Sequence, residues 1–246
     1  MKKERTGISL LITVGILAIM AMFFLDPIVQ DEQYHSFSDT RSVFSISNFW
    51  NVVSNLVFVV VGIRGLYISR NFSKPKTQYL MLFIGVSLIG LGSGYYHLFP
   101  SSQSLVWDRL PMTIVFMALF SIMISEFISE KLGRALLWPL ILVGLGSIWY
   151  WVYGEMNDLR PYVLVQFYPM VAIPLILIFI KSSTPYGKVY WLLLIFYFFA
   201  KISEYYDEII YDLLGVISGH SLKHIFAGLG LYILLKAYER RELVIK

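Results

Sequence analysis

The sequence predicts an all-α integral membrane protein with eight spanning helices. Of its 246 residues, 57% are hydrophobic and only 15% are charged, whereas an average soluble domain has about 25% charged residues. The mean hydropathy is +0.68, and long apolar runs recur along the whole chain. A soluble fold of this length needs a polar exterior, which this composition cannot supply, so we expect the helices to face lipid.

Eight apolar runs approach the roughly 20 residues that a helix needs to cross the hydrocarbon layer. The predicted spans cover residues 8–25, 50–68, 79–97, 110–128, 135–152, 162–180, 189–202 and 222–235. The seventh run is the weakest, because charged residues interrupt it early. Its continuation keeps apolar residues at helical spacing as far as Leu213, which predicts an amphipathic extension toward the surface.

The first span follows Lys2, Lys3 and Arg5, an arrangement that also occurs in signal peptides. Because no small-x-small cleavage site follows, an uncleaved anchor is the favoured interpretation. We expect residues 1–47 to form this helix and an acidic outer loop, and residues 48–246 to form the main membrane domain.

Basic residues set the orientation of the spans. With the N-terminus inside, the inner segments hold nearly all the basic residues that lie between spans, and the outer segments hold only Arg41 and Arg160. This distribution predicts that both termini lie inside. It also explains the net charge of +4 without nucleic acid as a partner.

Three of the four histidines lie at predicted span ends on the outer face. His97 ends the third span, and His220 and His224 begin the eighth, where the i, i+4 spacing places both imidazoles on one side of a helix. Asp108 begins the inward fourth span and reaches the same face. The fourth histidine, His35, is interpreted as a surface residue of the outer loop.

Three protein ligands and one open position are typical of catalytic zinc, whereas structural sites are closed by four ligands. The chain has no cysteine, which excludes disulfides, thiolate ligands and cysteine nucleophiles, and makes a closed site hard to assemble. The pattern therefore favours a metal site at His97, His220 and His224. The alternative is that these histidines lie at the interface and bond to the backbone.

Other polar residues within the spans have structural alternatives. Ser93 shares a helix face with His97, but such a serine often bonds the i−4 carbonyl. Asp108 has a candidate ion-pair partner in Arg109. For Lys201, which lies in the seventh span, we expect an ordinary ion pair with Glu204 rather than a cofactor linkage. Three polar residues of the second span are interpreted as interhelical hydrogen-bonding groups: Asn51, Ser54 and Asn55.

Four segments together resemble the alkaline ceramidase family, within the membrane-hydrolase superfamily that includes the adiponectin receptors. They are NFWNVVSN at 48–55, GSGYYH at 92–97, WDRLPM at 107–112 and GHSLKH at 219–224. The segment DLRPY at 158–162 also resembles a bacterial branch of the family. The resemblance extends over nearly all of the chain, from about residue 48 to residue 238.

The resemblance implies a seven-helix hydrolase-like bundle, with the first helix as an addition. It implies zinc held by His97, His220 and His224, with Ser93 and Asp108 as the catalytic serine and aspartate. The implied reaction is hydrolysis of the amide of ceramide, or of a related N-acyl lipid, to a fatty acid and a sphingoid base or amine. We expect a plasma membrane location, the inner membrane in a bacterium, with the active site toward the outer face.

Calcium and two other functions stay open at this stage. Some eukaryotic members of the family have an acidic calcium site before the first core helix, but this chain has Asn48 at its last acidic position. The alternative to an enzyme is a lipid-sensing receptor with a structural zinc, and an ion transporter comes third. The expected partners are the lipid amide and membrane lipids, and the sequence makes no prediction of oligomeric state.

Overall fold

The computed structural model describes residues 2–72, 76–154, 156–181 and 187–245, which fold into a helical bundle. The helices are α1 (Lys2–Phe24), α2 (Phe49–Val53), α3 (Leu56–Ser69), α4 (Lys76–Leu98), α5 (Ser102–Phe127), α6 (Glu130–Tyr153), α7 (Arg160–Phe179), α8 (Gly187–Tyr205), α9 (Asp207–Leu214) and α10 (Gly219–Ile245). A 3₁₀ helix, Glu32–His35, lies between α1 and α2. Within the described residues, β pairing is limited to isolated bridges, so the predicted all-α class is confirmed.

Among the described residues, six helical segments are long and apolar enough to cross a membrane. They are α1, the combined α2–α3 segment, α4, α5, α6 and α7. Helices also form where the seventh and eighth spans were predicted, as α8 and α10. These two helices carry the polar residues of the candidate site, which lowers their hydropathy. The six candidate spans support a multi-pass membrane protein, while the count of eight spans and their orientation stay predictions.

The second predicted span is broken near its start. Helix α2 ends at Val53 and α3 begins at Leu56. The side chains at the break bond to the backbone of the preceding turn: Ser54 Oγ donates to the carbonyl of Asn51 at 3.1 Å, and Asn55 Nδ2 donates to the same oxygen at 2.7 Å. Such side-chain bonds compete with the helical ladder, which explains why a continuous apolar pattern gives two helices.

Helix α5 is the central helix of the bundle. In its most apolar window 78% of the residues are buried, compared with 11% in α1. It begins at Ser102, with Ser101 as the N-cap that accepts a hydrogen bond from the amide of Ser104. Asp108 therefore lies in the second turn of a longer helix, not at its beginning as the sequence predicted. The capped start was missed because residues 102–107 do not belong to a continuous apolar run.

A buried polar cluster ties four helices together at the end of the bundle far from the histidines. Glu126 of α5 accepts hydrogen bonds from Tyr79 of α4 at 2.6 Å and from Tyr190 of α8 at 2.8 Å. Arg241 of α10 pairs with Glu126 at 2.7 Å, and Tyr238 bonds Tyr190 at 2.9 Å. This cluster fixes α4, α5, α8 and α10 relative to one another, and so supports the positions of the histidines on α4 and α10.

The extension of the seventh predicted span is helical, with a break. Helix α8 ends at Tyr205 and the short helix α9 begins at Asp207. The apolar side chains Ile209 and Leu213 of α9 are exposed, as expected for a helix lying at a membrane surface. Helix α1 packs outside the bundle against α7, where Tyr168 Oη donates to the carbonyl of Leu11 at 3.0 Å.

Candidate metal and catalytic site

Three buried histidines converge between α4 and α10. His97 lies in the last turn of α4, and His220 and His224 lie in the first two turns of α10. One potential ligand atom from each lies within 4.8 Å of the other two. Their ring centroids are 4.8, 4.9 and 5.2 Å apart. The predicted convergence of these residues is therefore observed, and the three rings can hold a metal ion.

The hydrogen bonding of His97 fits a metal ligand. Its side chain is 0% exposed, and neither ring nitrogen has a hydrogen-bond partner in the part of the chain that the structure describes. Buried polar atoms are nearly always satisfied, so an exception calls for an explanation such as an ion. The alternative of a histidine bonded to the backbone does not account for His97.

Neighbouring residues orient the two histidines of α10. Ser54, at the break between α2 and α3, lies with its Oγ 2.8 Å from Nδ1 of His224. Asp207 Oδ1 accepts a hydrogen bond from the backbone amide of His220 at 2.6 Å. A hydrogen bond to one ring nitrogen fixes the direction of the other, and such supporting partners commonly tune metal affinity. Ser54 therefore also orients the imidazole ring of His224.

A chain of charged groups connects His220 to α8. The Nζ atom of Lys223 lies 2.9 Å from Nε2 of His220 and 2.9 Å from Oε1 of Glu204. Glu204 also pairs with Lys201, which confirms the predicted ion pair. Because Glu204 is shared by two lysines, the charge of this cluster is partly balanced beside the histidines.

Ser93 and Asp108 meet next to the histidines. The Ser93 hydroxyl lies near the Asp108 carboxyl group, and both side chains are buried and line the same cavity. Gly92 makes this possible, because a Cβ there would overlap the backbone of Trp107. The backbones of α4 and α5 are therefore in direct contact at this level. The Ser93 hydroxyl therefore lies beside Asp108 of α5, whereas the alternative from the sequence was a bond to its own helix.

Arg109 has a different role from the ion pair that the sequence suggested. No Asp108–Arg109 ion pair occurs among the described residues. The guanidinium lies over the rings of Trp151, Tyr162 and Tyr34, at 4.8, 5.1 and 5.4 Å from their centroids. Cation–π contacts of this kind hold Arg109 in an aromatic cage and leave Asp108 available to Ser93.

A cavity of about 310 Å³ leads from these polar groups into the bundle. Its polar end includes Ser93, Asp108, His224 and Lys223. Its remaining wall is largely apolar and includes Phe58, Ile89, Val115, Phe116, Leu119, Leu193 and Leu231. The arrangement can hold an apolar chain with a polar group placed against the serine, the aspartate and a histidine.

The connection between α1 and α2 covers the histidines. The Phe37 ring lies 4.7 Å from that of His97 and 4.9 Å from that of His220. In the 3₁₀ helix, the Tyr34 hydroxyl donates to Glu204 at 3.3 Å. Burial, and then the charge of Glu204, raise the pKa of Tyr34 well above its usual range, so the phenol stays protonated as a donor. This connection shields the site from water.

Two residues of the same connection differ from expectation. His35 was interpreted as a surface residue, but it is half-buried, with Nδ1 2.9 Å from Tyr96 Oη and Nε2 3.1 Å from Ser102 Oγ. It lies outside the triad formed by His97, His220 and His224. Asn48, at the position where the resemblance implied an acidic calcium ligand, donates from Nδ2 to the carbonyl of His97 at 2.8 Å. Its amide therefore fixes the end of α4.

Sequence reasoning missed several residues that shape the site. Phe37 and Lys223 carry no signal in the sequence, because their contacts with the histidines and with Glu204 form only when the α1–α2 connection, α8 and α10 pack together. Ser54 had a signal, since a serine among apolar residues in a span needs a partner. The sequence did not reveal that the partner is His224.

Comparison with known proteins identifies the family of this chain. A segment of 67 residues is 28% identical to alkaline ceramidase 3 of Mus musculus, and covers 27% of this chain and 25% of that protein. The chain thus aligns with about a quarter of the curated relative. No solved structure gives a significant match. The sequence model of the Ceramidase family matches residues 40–243, which include all five candidate site residues, and the chain therefore belongs to the Ceramidase family.

Proposed function

We propose that this protein is a metal-dependent membrane amidase that hydrolyses ceramide or a related N-acyl lipid. The observation that carries the proposal is the shared cavity, in which Ser93, Asp108 and His224 lie at the polar end of an otherwise apolar chamber. An N-acyl lipid has the matching form, an acyl chain ending in an amide. Family membership supports the same substrate class.

The metal site would consist of His97, His220 and His224. The buried nitrogens of His97 without partners support this assignment. Three neutral imidazoles suit zinc, although such a set also accepts other divalent ions. When bound, zinc supplies Lewis-acid polarisation of a carbonyl oxygen and lowers the pKa of adjacent water. We make no proposal for calcium, because Asn48 serves the backbone of α4.

The protein's own residues would perform the proton transfers. Asp108 accepts a proton from the water that attacks the amide carbon, and later delivers it to the leaving nitrogen as the C–N bond breaks. Ser93 donates a hydrogen bond to the carbonyl oxygen as it becomes negative. The products are a fatty acid and a free amine. The apolar wall holds the acyl chain, and Phe37 helps to exclude bulk water.

Two substitutions separate the metal from the proton transfer. We expect His220→Ala to lose both bound zinc and turnover, and Asp108→Asn to retain zinc while turnover falls by ~10²–10⁴-fold. Metal content by elemental analysis and fatty-acid release from ceramide measure the two effects. His35→Ala, at the one histidine outside the triad, should keep its zinc, and Asp212→Asn, at an exposed carboxylate of α9, should keep its turnover. Full activity of Asp108→Asn would contradict the assigned role.

The lipid-sensing receptor is the competing function. It needs a metal for structure, but it needs no proton-transfer pair beside the bound lipid. Ser93 and Asp108 lie side by side in the lining of the cavity, which favours the enzyme for this reason. Turnover distinguishes the two functions directly.

We also propose that α8 and α10 cross the membrane, giving eight spans with both termini inside and the site at the outer face of the plasma membrane. Residues 1–47 would then form an added helix and outer loop, and residues 48–246 the seven-helix domain. Because the chain has no cysteine, single introduced cysteines can report topology without background. A thiol reagent that does not cross membranes should label Phe44→Cys in intact cells and leave Lys181→Cys unlabelled. The reverse labelling pattern would show that the protein has the opposite orientation in the membrane.

A further inference from the structure

A second cavity lies at the opposite end of the bundle from the histidines. Its volume is about 820 Å³, and its lining includes Lys76 at the start of α4 and Lys131, Arg134 and Trp138 of α6. Helix α4 carries His97 near its other end. At a rise of 1.5 Å per residue, the two sites are roughly 30 Å apart. The second cavity is therefore separate from the candidate catalytic site.

The charge of this cavity suits an anion. Lys76, Lys131 and Arg134 contribute three positive charges, and Glu130 contributes one negative charge. Glu130 lies 3.5 Å from Arg134, with both side chains more than half exposed, so the pair is weak and leaves Arg134 available to another partner. The first turn of α6 adds partial positive charge from its backbone amides.

The floor of the cavity is built from buried hydrogen bonds that join three helices. Gln78 of α4 is 1% exposed and donates from Nε2 to Ser125 Oγ at 3.0 Å and to Ser121 Oγ, both on α5. Ser121 in turn donates to the carbonyl of Gly133 on α6 at 2.8 Å. The cations of α4 and α6 therefore stand on a fixed frame, and the cavity exists before any ligand binds.

An apolar strip continues from the cations along α6. Lys131, Arg134, Trp138 and Leu142 follow one another at helical spacing on one face. Trp138 is 53% exposed and Leu142 is 67% exposed. An aromatic ring beside exposed aliphatic side chains is typical of the boundary between lipid headgroups and acyl chains.

We propose that this cavity binds the phosphate headgroup of an anionic membrane lipid. Lys76, Lys131 and Arg134 contact the phosphate, and an acyl chain lies along Trp138 and Leu142. Basic pockets between membrane helices on the inner side are suited to such headgroups. A free phosphate ion would use the cations but gain nothing from the strip, so the two parts together point to a lipid. This site is independent of the proposed hydrolysis.

The test uses the purified full-length protein in neutral detergent, titrated with phosphatidylglycerol or with phosphatidylcholine. Thermal unfolding measures binding, because a ligand of the folded state raises the midpoint. We expect phosphatidylglycerol to stabilise the protein at concentrations where phosphatidylcholine does not. Each cation near a headgroup contributes about a fivefold change in affinity. The variant K131Q/R134Q should therefore need about 30-fold more phosphatidylglycerol to reach the same rise in unfolding midpoint.

The matched control removes two cations from the same end of the bundle but outside the cavity. Arg70 directly follows α3 and Lys188 lies at the start of α8, and both are exposed. R70Q/K188Q has the same net charge as K131Q/R134Q, so diffuse attraction to anionic lipid falls equally in both. Our proposal predicts that the control stays within about threefold of the unmodified protein. Equal losses of phosphatidylglycerol affinity in the two double variants would show that the lipid does not bind at this cavity.

A third variant and a second probe distinguish lipid from free phosphate. Trp138→Ala keeps all three cations but shortens the apolar strip, so it should weaken the response to phosphatidylglycerol. Inorganic phosphate alone should give little stabilisation. If phosphate stabilised the protein as strongly as phosphatidylglycerol, and Trp138→Ala changed neither response, the lipid assignment would be wrong. All variants should unfold at the same temperature in phosphatidylcholine alone, which shows that they fold.

Discussion

Replacement of Gly92 by alanine tests whether close contact between α4 and α5 builds the site. A Cβ at this position would overlap the carbonyl oxygen of Trp107 and would lie 2.7 Å from its carbonyl carbon, whereas ordinary contact begins at 3.4 Å. Relieving the contact with the carbon alone requires the two backbones to separate by about 0.7 Å, and the overlap with the oxygen requires more. The obstacle is main chain of the central helix, so no side-chain rotation can relieve it. Asp108 directly follows Trp107, and it would move away from Ser93 by a similar amount.

The expected cost falls on both stability and turnover. Overpacking of this kind destabilises a folded protein by about 1–3 kcal/mol. A displacement of catalytic groups approaching 1 Å can reduce turnover by ~10²-fold. Thermal unfolding of the purified protein and fatty-acid release from ceramide measure the two quantities. Zinc content should stay close to normal, because none of the three histidines lies at the contact.

Gly94 provides the matched control. It lies two residues along the same helix, and a Cβ there would meet no atom within 4 Å. Gly94→Ala should keep full turnover and gain slightly in stability, since alanine favours a helix by about 1 kcal/mol over glycine. If Gly92→Ala matched Gly94→Ala in both stability and turnover, the contact between α4 and α5 would not position Asp108, and our account of the site would be wrong.

Two further predictions concern the residues around the triad. Ser54→Ala removes the partner of His224 and should reduce zinc affinity by ~10–100-fold with little change in fold; unchanged affinity in a competition assay with a chelator would show that the serine is only structural. Burial would raise the pKa of Asp39, but hydrogen bonds from Arg41 and its charge outweigh this and lower it. The stabilisation from Asp39 is therefore present above its unfolded pKa of about 3.9 and lost as pH falls further. Thermal unfolding should thus show a deficit for Asp39→Asn at pH 6 that narrows below about pH 4, and a deficit independent of pH would contradict this ion pair.

The sequence predicted the parts of the fold that depend on composition and periodicity. The helical class follows from long apolar runs, which determine where helices can form in lipid. The break between α2 and α3 was not predicted, because it depends on Ser54 and Asn55 bonding to their own backbone. The early start of α5 depends on a cap at Ser101 and has no hydrophobic signature.

For the site, the sequence correctly predicted that the histidines converge, because the direction of each helix determines which helix ends lie together. His97, His220 and His224 lie at helix ends that meet, so their order and spacing sufficed. The roles of Phe37 and Lys223 depend on how loops and neighbouring helices fold back on the triad. Such contacts follow from tertiary packing, which one sequence does not specify.

The most direct test of the central claim is fatty-acid release from ceramide by the purified protein, measured with and without a metal chelator. We expect release that stops on chelation, returns on addition of zinc, and falls by ~10²–10⁴-fold in Asp108→Asn protein that still binds zinc. Release that continues after complete removal of metal would contradict it. So would the absence of release from ceramide and other N-acyl lipids by folded protein with zinc bound at the triad.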